Sequence, residues 1–267
     1  MYSMNFKIFL IIASICLSVI RSSAQLIPIT LPKNNGSLYI LGGLNRNWFT
    51  NTDIRYSGSS YDFTLEKIKG EDSWQPYQFK DWSAHTPQFS FRMGYWFNSP
   101  SFIGIELGYD YVNYSAIKNQ KVHETGIING EIIDQDTVMG TPELSYGHAN
   151  GSGLITLNFV KGFQLAASRD GDHVLSALLK AGGGAALPKT EIALSGIHTV
   201  NDFYLSGYVI DLEAAVHYVL IRHIVVEVSA RGNYVDYTNA LTVGGDRASH
   251  TLLSLQCLAT IGYQFRL

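Results

Sequence analysis

From Gly36 onward the chain alternates apolar and polar side chains with a period of two. That is the spacing of a β-strand whose two faces meet different surroundings. Phe89, Phe91, Met93, Tyr95 and Phe97 alternate with Ser90, Arg92 and Gly94. Ile103, Ile105, Leu107 and Tyr109 alternate with Gly104, Glu106, Gly108 and Asp110. Near the end, Leu253, Leu255, Cys257, Ala259, Ile261, Tyr263 and Phe265 oppose Ser254, Gln256, Thr260 and Gln264. The pattern predicts eight strands. They cover about Ser37 to Phe49, Gln88 to Phe97, Phe102 to Tyr114, a stretch starting between Leu144 and Gly153 and ending near Leu165, His173 to Ala186, Phe203 to Tyr218, His223 to Tyr237, and Ser249 to Leu267.

The connections alternate in length. Long segments run over Thr50 to Pro87, Ser115 to about Glu143, Leu187 to Asp202 and Thr238 to Ala248. Short ones cover Asn98 to Ser101, Ala167 to Asp172 and Val219 to Arg222. Short periplasmic turns, longer extracellular loops and an even strand number characterise bacterial transmembrane barrels. A soluble barrel of the lipocalin kind is the structural rival, with its apolar face turned inward. Here one face is continuously apolar and rich in Tyr, while the other carries scattered charges among Gly and Ser. The expected fold is therefore all-β: an eight-stranded antiparallel up-and-down transmembrane β-barrel with apolar residues outside.

Composition sharpens this picture. Charged residues are 15% of the 267, aromatics 12%, with 16 Tyr; an average domain carries about 25% charge. Residues 1–24 read as a cleaved signal peptide. Lys7 precedes an apolar run from Ile8 to Ile20, too short for a spanning helix, and Ser22-Ser23-Ala24 supplies small residues before the cut. Residues 25–36 are then an N-terminal periplasmic segment and 37–267 the barrel. Cleavage leaves 17 basic against 22 acidic residues, a net charge of −5. With no basic run, nucleic acid is an unsuitable partner. Cys257 is the one cysteine of the mature chain, so no internal disulfide forms. The expected location is the outer membrane of a Gram-negative cell. The expected partners are outer-membrane lipid and lipopolysaccharide, with barrel-assembly machinery during insertion; a surface ligand is unspecified.

Strand parity places Arg92, Glu106, Asp110, Lys180, Asp211, Glu213, Glu227 and Arg231 inside. An eight-stranded barrel is only wide enough for side chains to fill it. Three cations and five anions should then pack into a plug of ion pairs and hydrogen bonds, because a lone buried charge is costly. A polar path or proton relay is the other reading.

Phe91-Arg92-Met93-Gly94-Tyr95, Gly104-Ile105-Glu106-Leu107-Gly108-Tyr109-Asp110 and His148-Ala149-Asn150-Gly151 together resemble small Gram-negative outer-membrane barrels of the OmpA type, porin-like in architecture. The resemblance implies location and fold without a settled activity. The segment Tyr146 to Ser152 also resembles, over about seven residues, the lipid A deacylase barrels. Their motif, His-x-Ser-Asn, implies a catalytic His148. Asn150 stands where the nucleophile should be, and Ser152, four residues on, is about 13 Å from His148 if the segment is extended. Asn-Gly turn chemistry is the structural alternative.

Among the remaining signals, Gly182-Gly183-Gly184 lacks a following Gly-Lys-Ser/Thr and reads as close strand packing. His85, His123, His198 and His250 fall in or beside outer loops without a close ligand pair, so no metal and no cofactor is expected. Trp74, Tyr77, Phe79 and Trp82 make the first long loop aromatic enough to cover the mouth, lie at the lipid interface or bind a glycan or partner. The function expected is a structural or surface ligand-contacting barrel. The alternative is a lipid-modifying acyl hydrolase using His148 and Ser152.

Overall fold

The computed structural model describes residues 36–73, 88–97, 101–148, 151–169 and 172–266. Residues 1–24, expected to be a signal peptide, the Trp74–Trp82 aromatic stretch, His85 and Asn150 lie outside these residues.

Eight strands form a closed antiparallel barrel. They are β1 (Ser37–Phe49), β5 (Phe89–Trp96), β6 (Ile103–Val112), β11 (Ser152–Ala167), β12 (Val174–Pro188), β15 (Gly207–Leu220), β16 (Ile224–Leu241) and β17 (Arg247–Arg266). Each pairs with the next in this order, and β1 also pairs with β17 from Ser37↔Arg266 to Phe49↔Ser254, which closes the ring. Successive side chains face opposite sides of each strand. Leu157, Phe159, Leu212, Leu255 and Ile261 project outward and are each more than half exposed. Trp48, Tyr208 and Tyr234 lie outward toward one end, Tyr263 and Phe265 toward the other. An apolar wall rimmed by aromatic rings, around a buried polar lining, is the transmembrane arrangement.

Inside, the lumen is layered. At the short-turn end Tyr39, Leu41, Trp96, Val160, Leu178, Ala215, Val219 and Val225 make one apolar cluster. The charged side chains lie above it. Higher still, Leu154, Ala186, Val209, Val235 and Leu252 begin a second apolar core that continues beyond the barrel rim.

The long connections are not irregular loops. The first contains β2 (Thr52–Ser57), β3 (Tyr61–Ile68) and β4 (Gly70–Glu71). The second contains β7 (Ser115–Ala116), β8 (Gln120–Ile128), β9 (Glu131–Met139) and β10 (Leu144–Gly147). The third contains β13 (Glu191–Leu194) and β14 (Ile197–Val200). Strands β2, β3, β8 and β9 extend the barrel sheet from the upper end of β17, where Ser249 opposes Arg55. Strands β14, β13, β10, β7 and β4 form a second sheet. Ile54, Tyr56, Phe63, Leu65, Met139, Tyr146 and Ile192 from the two sheets join the upper lumen in one core. The expected fourth long loop, Thr238–Ala248, is mostly strand. The β16–β17 hairpin runs on to Leu241↔Arg247 across a bulge after Tyr237 and turns within 242–246. The sixth barrel strand starts at Gly207 rather than near Phe203, because Tyr204 and Ser206 bond back to Pro188 and Ala186 outside the ladder.

Candidate functional site in the lumen and cap

All eight charged residues assigned inward by parity are inside, none more than 4% exposed. Cross-strand registry brings them together. Lys180 on β12 lies directly opposite Glu213 on β15, which lies opposite Arg231 on β16. Lys180 Nζ reaches Glu106 Oε2 at 2.8 Å, Glu227 Oε1 at 2.6 Å and Glu213 Oε1 at 3.2 Å. Arg92 Nη2 donates to both oxygens of Asp110, at 2.9 and 3.1 Å. Arg231 bridges Asp110 and Asp211, the latter at 2.7 Å, and donates to Thr156 Oγ1 at 3.1 Å.

Tyrosine and histidine side chains complete the layer. The Tyr39 hydroxyl donates to Glu106 Oε2 at 2.7 Å, and His217 Nδ1 bonds Glu227 Oε2 at 2.8 Å. Gly94 makes room for Tyr39: a Cβ there would sit 2.0 Å from its Cζ. Gly182 likewise lets β12 approach Asn158 and the Leu157 carbonyl, at 2.1 and 2.2 Å from an added Cβ. The charge layer is thus self-neutralising in part, with apolar clusters below and above it. A hydrogen-bonded line of polar side chains leads upward from it through Ser90, Asn45, Asn47 and Gln88 to Asp72. Such an arrangement fixes strand register strongly.

The second constellation sits in the cap. His148 follows β10 and is fully buried, its amide donating to the Tyr114 carbonyl at 2.6 Å. The chain then turns, with Gly151 N donating to the His148 carbonyl at 2.8 Å and Gly151 at φ +98°. The turn closed by this bond means that His148 and Ser152 do not share one face of an extended strand. Nε2 of His148 lies 3.3 Å from Nε2 of His250, which points inward from β17. Ser152 Oγ instead pairs with the Tyr237 hydroxyl at 2.9 Å. Rings of Tyr114, Tyr146 and Tyr237 surround the two imidazoles, with Tyr237 stacked on His250 at 4.8 Å. Burial, and secondarily His250, hold the His148 imidazole well below its ordinary pKa, so it is neutral. No carboxylate hydrogen-bonds to either imidazole of this pair among the described contacts. The arrangement provides a packed aromatic contact and no His–Ser relay.

His123 and His198 lie apart, on the cap surface. His123 bonds Asp134 and Asp136, each at 3.1 Å, and His198 bonds Glu191 at 3.1 Å. Among the described residues no group of three or more His, Cys, Asp or Glu gathers as a metal site. The His250 partner of His148 was not legible from spacing, since 102 residues separate them.

No family model matches the chain, and no curated protein matches it either. Among solved structures it is similar to Neisserial surface protein A, with a TM-score of 0.35 and 10% identity over 87% of this chain and 97% of that one. It is similar to the outer membrane protease OmpT from Escherichia coli, with a TM-score of 0.37 and 10% identity over 90% and 99%. It is also similar to the outer membrane protein OprG from Pseudomonas aeruginosa, with a TM-score of 0.37 and 12% identity over 87% and 97%.

Proposed function

We propose that this chain is an exported outer-membrane barrel of a Gram-negative cell, with a plugged lumen and a folded extracellular cap that presents a contact surface. The observation that carries this reading is the closed barrel with an apolar outer wall and a buried, ion-paired layer of side chains across its lumen. An apolar wall of this extent is stable only in lipid. A sealed lumen suits a structural or surface-contacting role better than transport. Outward rings at both ends of the wall suit the two membrane interfaces. The short turns then face the periplasm, and the cap faces outside.

Membrane fractionation and current recording test the reading. The full chain expressed in Escherichia coli should enter the outer-membrane fraction and run faster unboiled than boiled on a detergent gel. Reconstituted in planar bilayers, it should give no single-channel steps. Recovery in the soluble fraction would remove the membrane role. Regular conductance steps would remove the plug.

A further inference from the structure

Two adjoining depressions mark the outer face of the barrel wall. The lower has a volume of about 600 Å³. It exists because an outward position on β16 is Gly232, where an added Cβ would meet nothing nearer than the Leu212 carbonyl oxygen at 4.0 Å. Leu212 and Leu255 flank Gly232 on the neighbouring strands, and Trp48 stands beyond Leu255. The lower depression is therefore a groove in the apolar wall, floored by a missing side chain.

The upper depression has a volume of about 590 Å³. It lies directly above, on the same face: Gly232 opposes Leu255, then Tyr234 opposes Leu253, then Asp236 opposes Thr251. Its lining is polar, with Asp53, Lys67, Asp236, Ser249 and Thr251. Four residues of strand separate Gly232 from Asp236, about 13 Å. Between the two depressions the outward rings of Tyr208 and Tyr234 lie 6.3 Å apart. Paired tyrosines at that level mark a membrane interface.

We propose that the two depressions together hold one acylated, sugar-headed lipid of the outer leaflet. This rests on the membrane reading above and assigns that reading a binding site. One acyl chain lies in the Gly232 groove, where the wall is apolar and at lipid depth. The headgroup lies in the polar depression beyond the tyrosines. Carboxylates of Asp53 and Asp236 accept from sugar hydroxyls, Ser249 and Thr251 hydroxyls bond either way, and Lys67 meets a phosphate or sugar oxygen. An apolar groove capped by that mixed lining matches an amphiphile whose head both donates and accepts.

Native mass spectrometry of the detergent-purified full chain tests this, with hexa-acylated lipid A and phosphatidylglycerol as probes at equal concentration. One lipid A should be retained in preference to phosphatidylglycerol. Gly232→Trp should lower its retention about tenfold or more, since two buried methylenes' worth of contact is already about tenfold. The pair Lys67→Glu with Asp236→Ala should bring lipid A down to the level of phosphatidylglycerol. Unboiled gel mobility confirms that each variant is folded. Equal retention of the two lipids by the native chain, or unchanged retention by Gly232→Trp, would overturn the site. A two-chain species abolished by Gly232→Trp would assign the groove to a second copy and overturn it as well. A chain that stays in solution without detergent would instead remove the membrane reading.

Discussion

Replacing Lys180 by Met tests how the ionic layer is held. Lys180 is fully buried and lies within 3.2 Å of three carboxylates, those of Glu106, Glu213 and Glu227. Met fills much the same volume, so the main change is electrostatic. The named lumen charges go from three cations against five anions to two against five, and the three carboxylates lose the cation they share. Removing one partner of a buried pair costs about 3–5 kcal/mol, because it leaves an uncompensated charge. Three carboxylates losing one shared cation, each keeping a weaker neighbour in Arg92, Arg231 or His217, place Lys180→Met within that range, a large share of the ~5–15 kcal/mol that stabilises a typical domain. Guanidinium unfolding in detergent, followed by Trp fluorescence and unboiled gel mobility, reads this as a lowered midpoint with an unchanged slope. Adding Glu227→Gln removes one orphaned charge and should recover about half of the loss, a coupling that a double-mutant cycle measures. A Lys180→Met barrel within about 1 kcal/mol of the native one, with no coupling to Glu227, would refute the account of a layer held by its own charges.

Other perturbations probe the packing and the cap. Gly94→Ala places a Cβ against Tyr39, whose ring must move and lose its bond to Glu106; the expected loss is about 2–3 kcal/mol in the same unfolding assay. His148 is kept neutral in the fold, its pKa lowered by burial and then by His250, whereas an unfolded His takes a proton below ~6.5. The stability it contributes is complete above pH ~6.5 and falls by about 1.4 kcal/mol per unit as pH drops below that value toward the folded pKa. Hydrogen-exchange protection factors across residues 114–148 should therefore fall between pH 6.5 and 4.5, and His148→Phe should reduce that dependence; an unchanged slope in the variant would contradict it. Ser152→Ala and His148→Ala should leave lipid A acylation in producing cells unaltered by mass spectrometry, whereas loss of a deacylated species in either variant would restore the hydrolase reading.

The barrel was legible because parity survives along each wall strand. Arg92, Glu106 and Asp110 share a face with Lys180 and Arg231 only if alternation holds along the strands between them, and it does: the bulges on β11 and β16 lie beyond this layer, after Gln164 and Tyr237. The cap was not legible by the same means. On β9 the run Glu131-Ile132-Ile133-Asp134-Gln135-Asp136 has no apolar face, since that strand is largely exposed on both sides. Its hairpin nevertheless carried a signal. Asn129 and Gly130 both take positive φ, 52° and 83°, as the favoured two-residue hairpin turn requires. Ser195 and Gly196 do the same between β13 and β14, at 52° and 77°. The upper apolar layer was hidden differently. Tyr208-Val209-Ile210 and Leu154-Ile155 read as unbroken apolar runs, which signal burial on both faces rather than one. The inward face changes from charged to apolar along a single strand, and alternation alone does not report that change.

The continuity of the upper core decides what the cap does. Tyr56 of β2, Tyr146 of β10 and Ile192 of β13 pack in the same cluster as Val209, Val235 and Leu252 of the barrel wall. A cover that swings away from the mouth would expose that whole cluster to water, at roughly 25 cal/mol for each Å² uncovered. The polar layer beneath would become more open to water at the same time. The cap therefore behaves as part of the barrel rather than as loops free to open and close. The free edge of the extended sheet is β9, where Ile132 is 86% exposed beside Asp134 and Asp136.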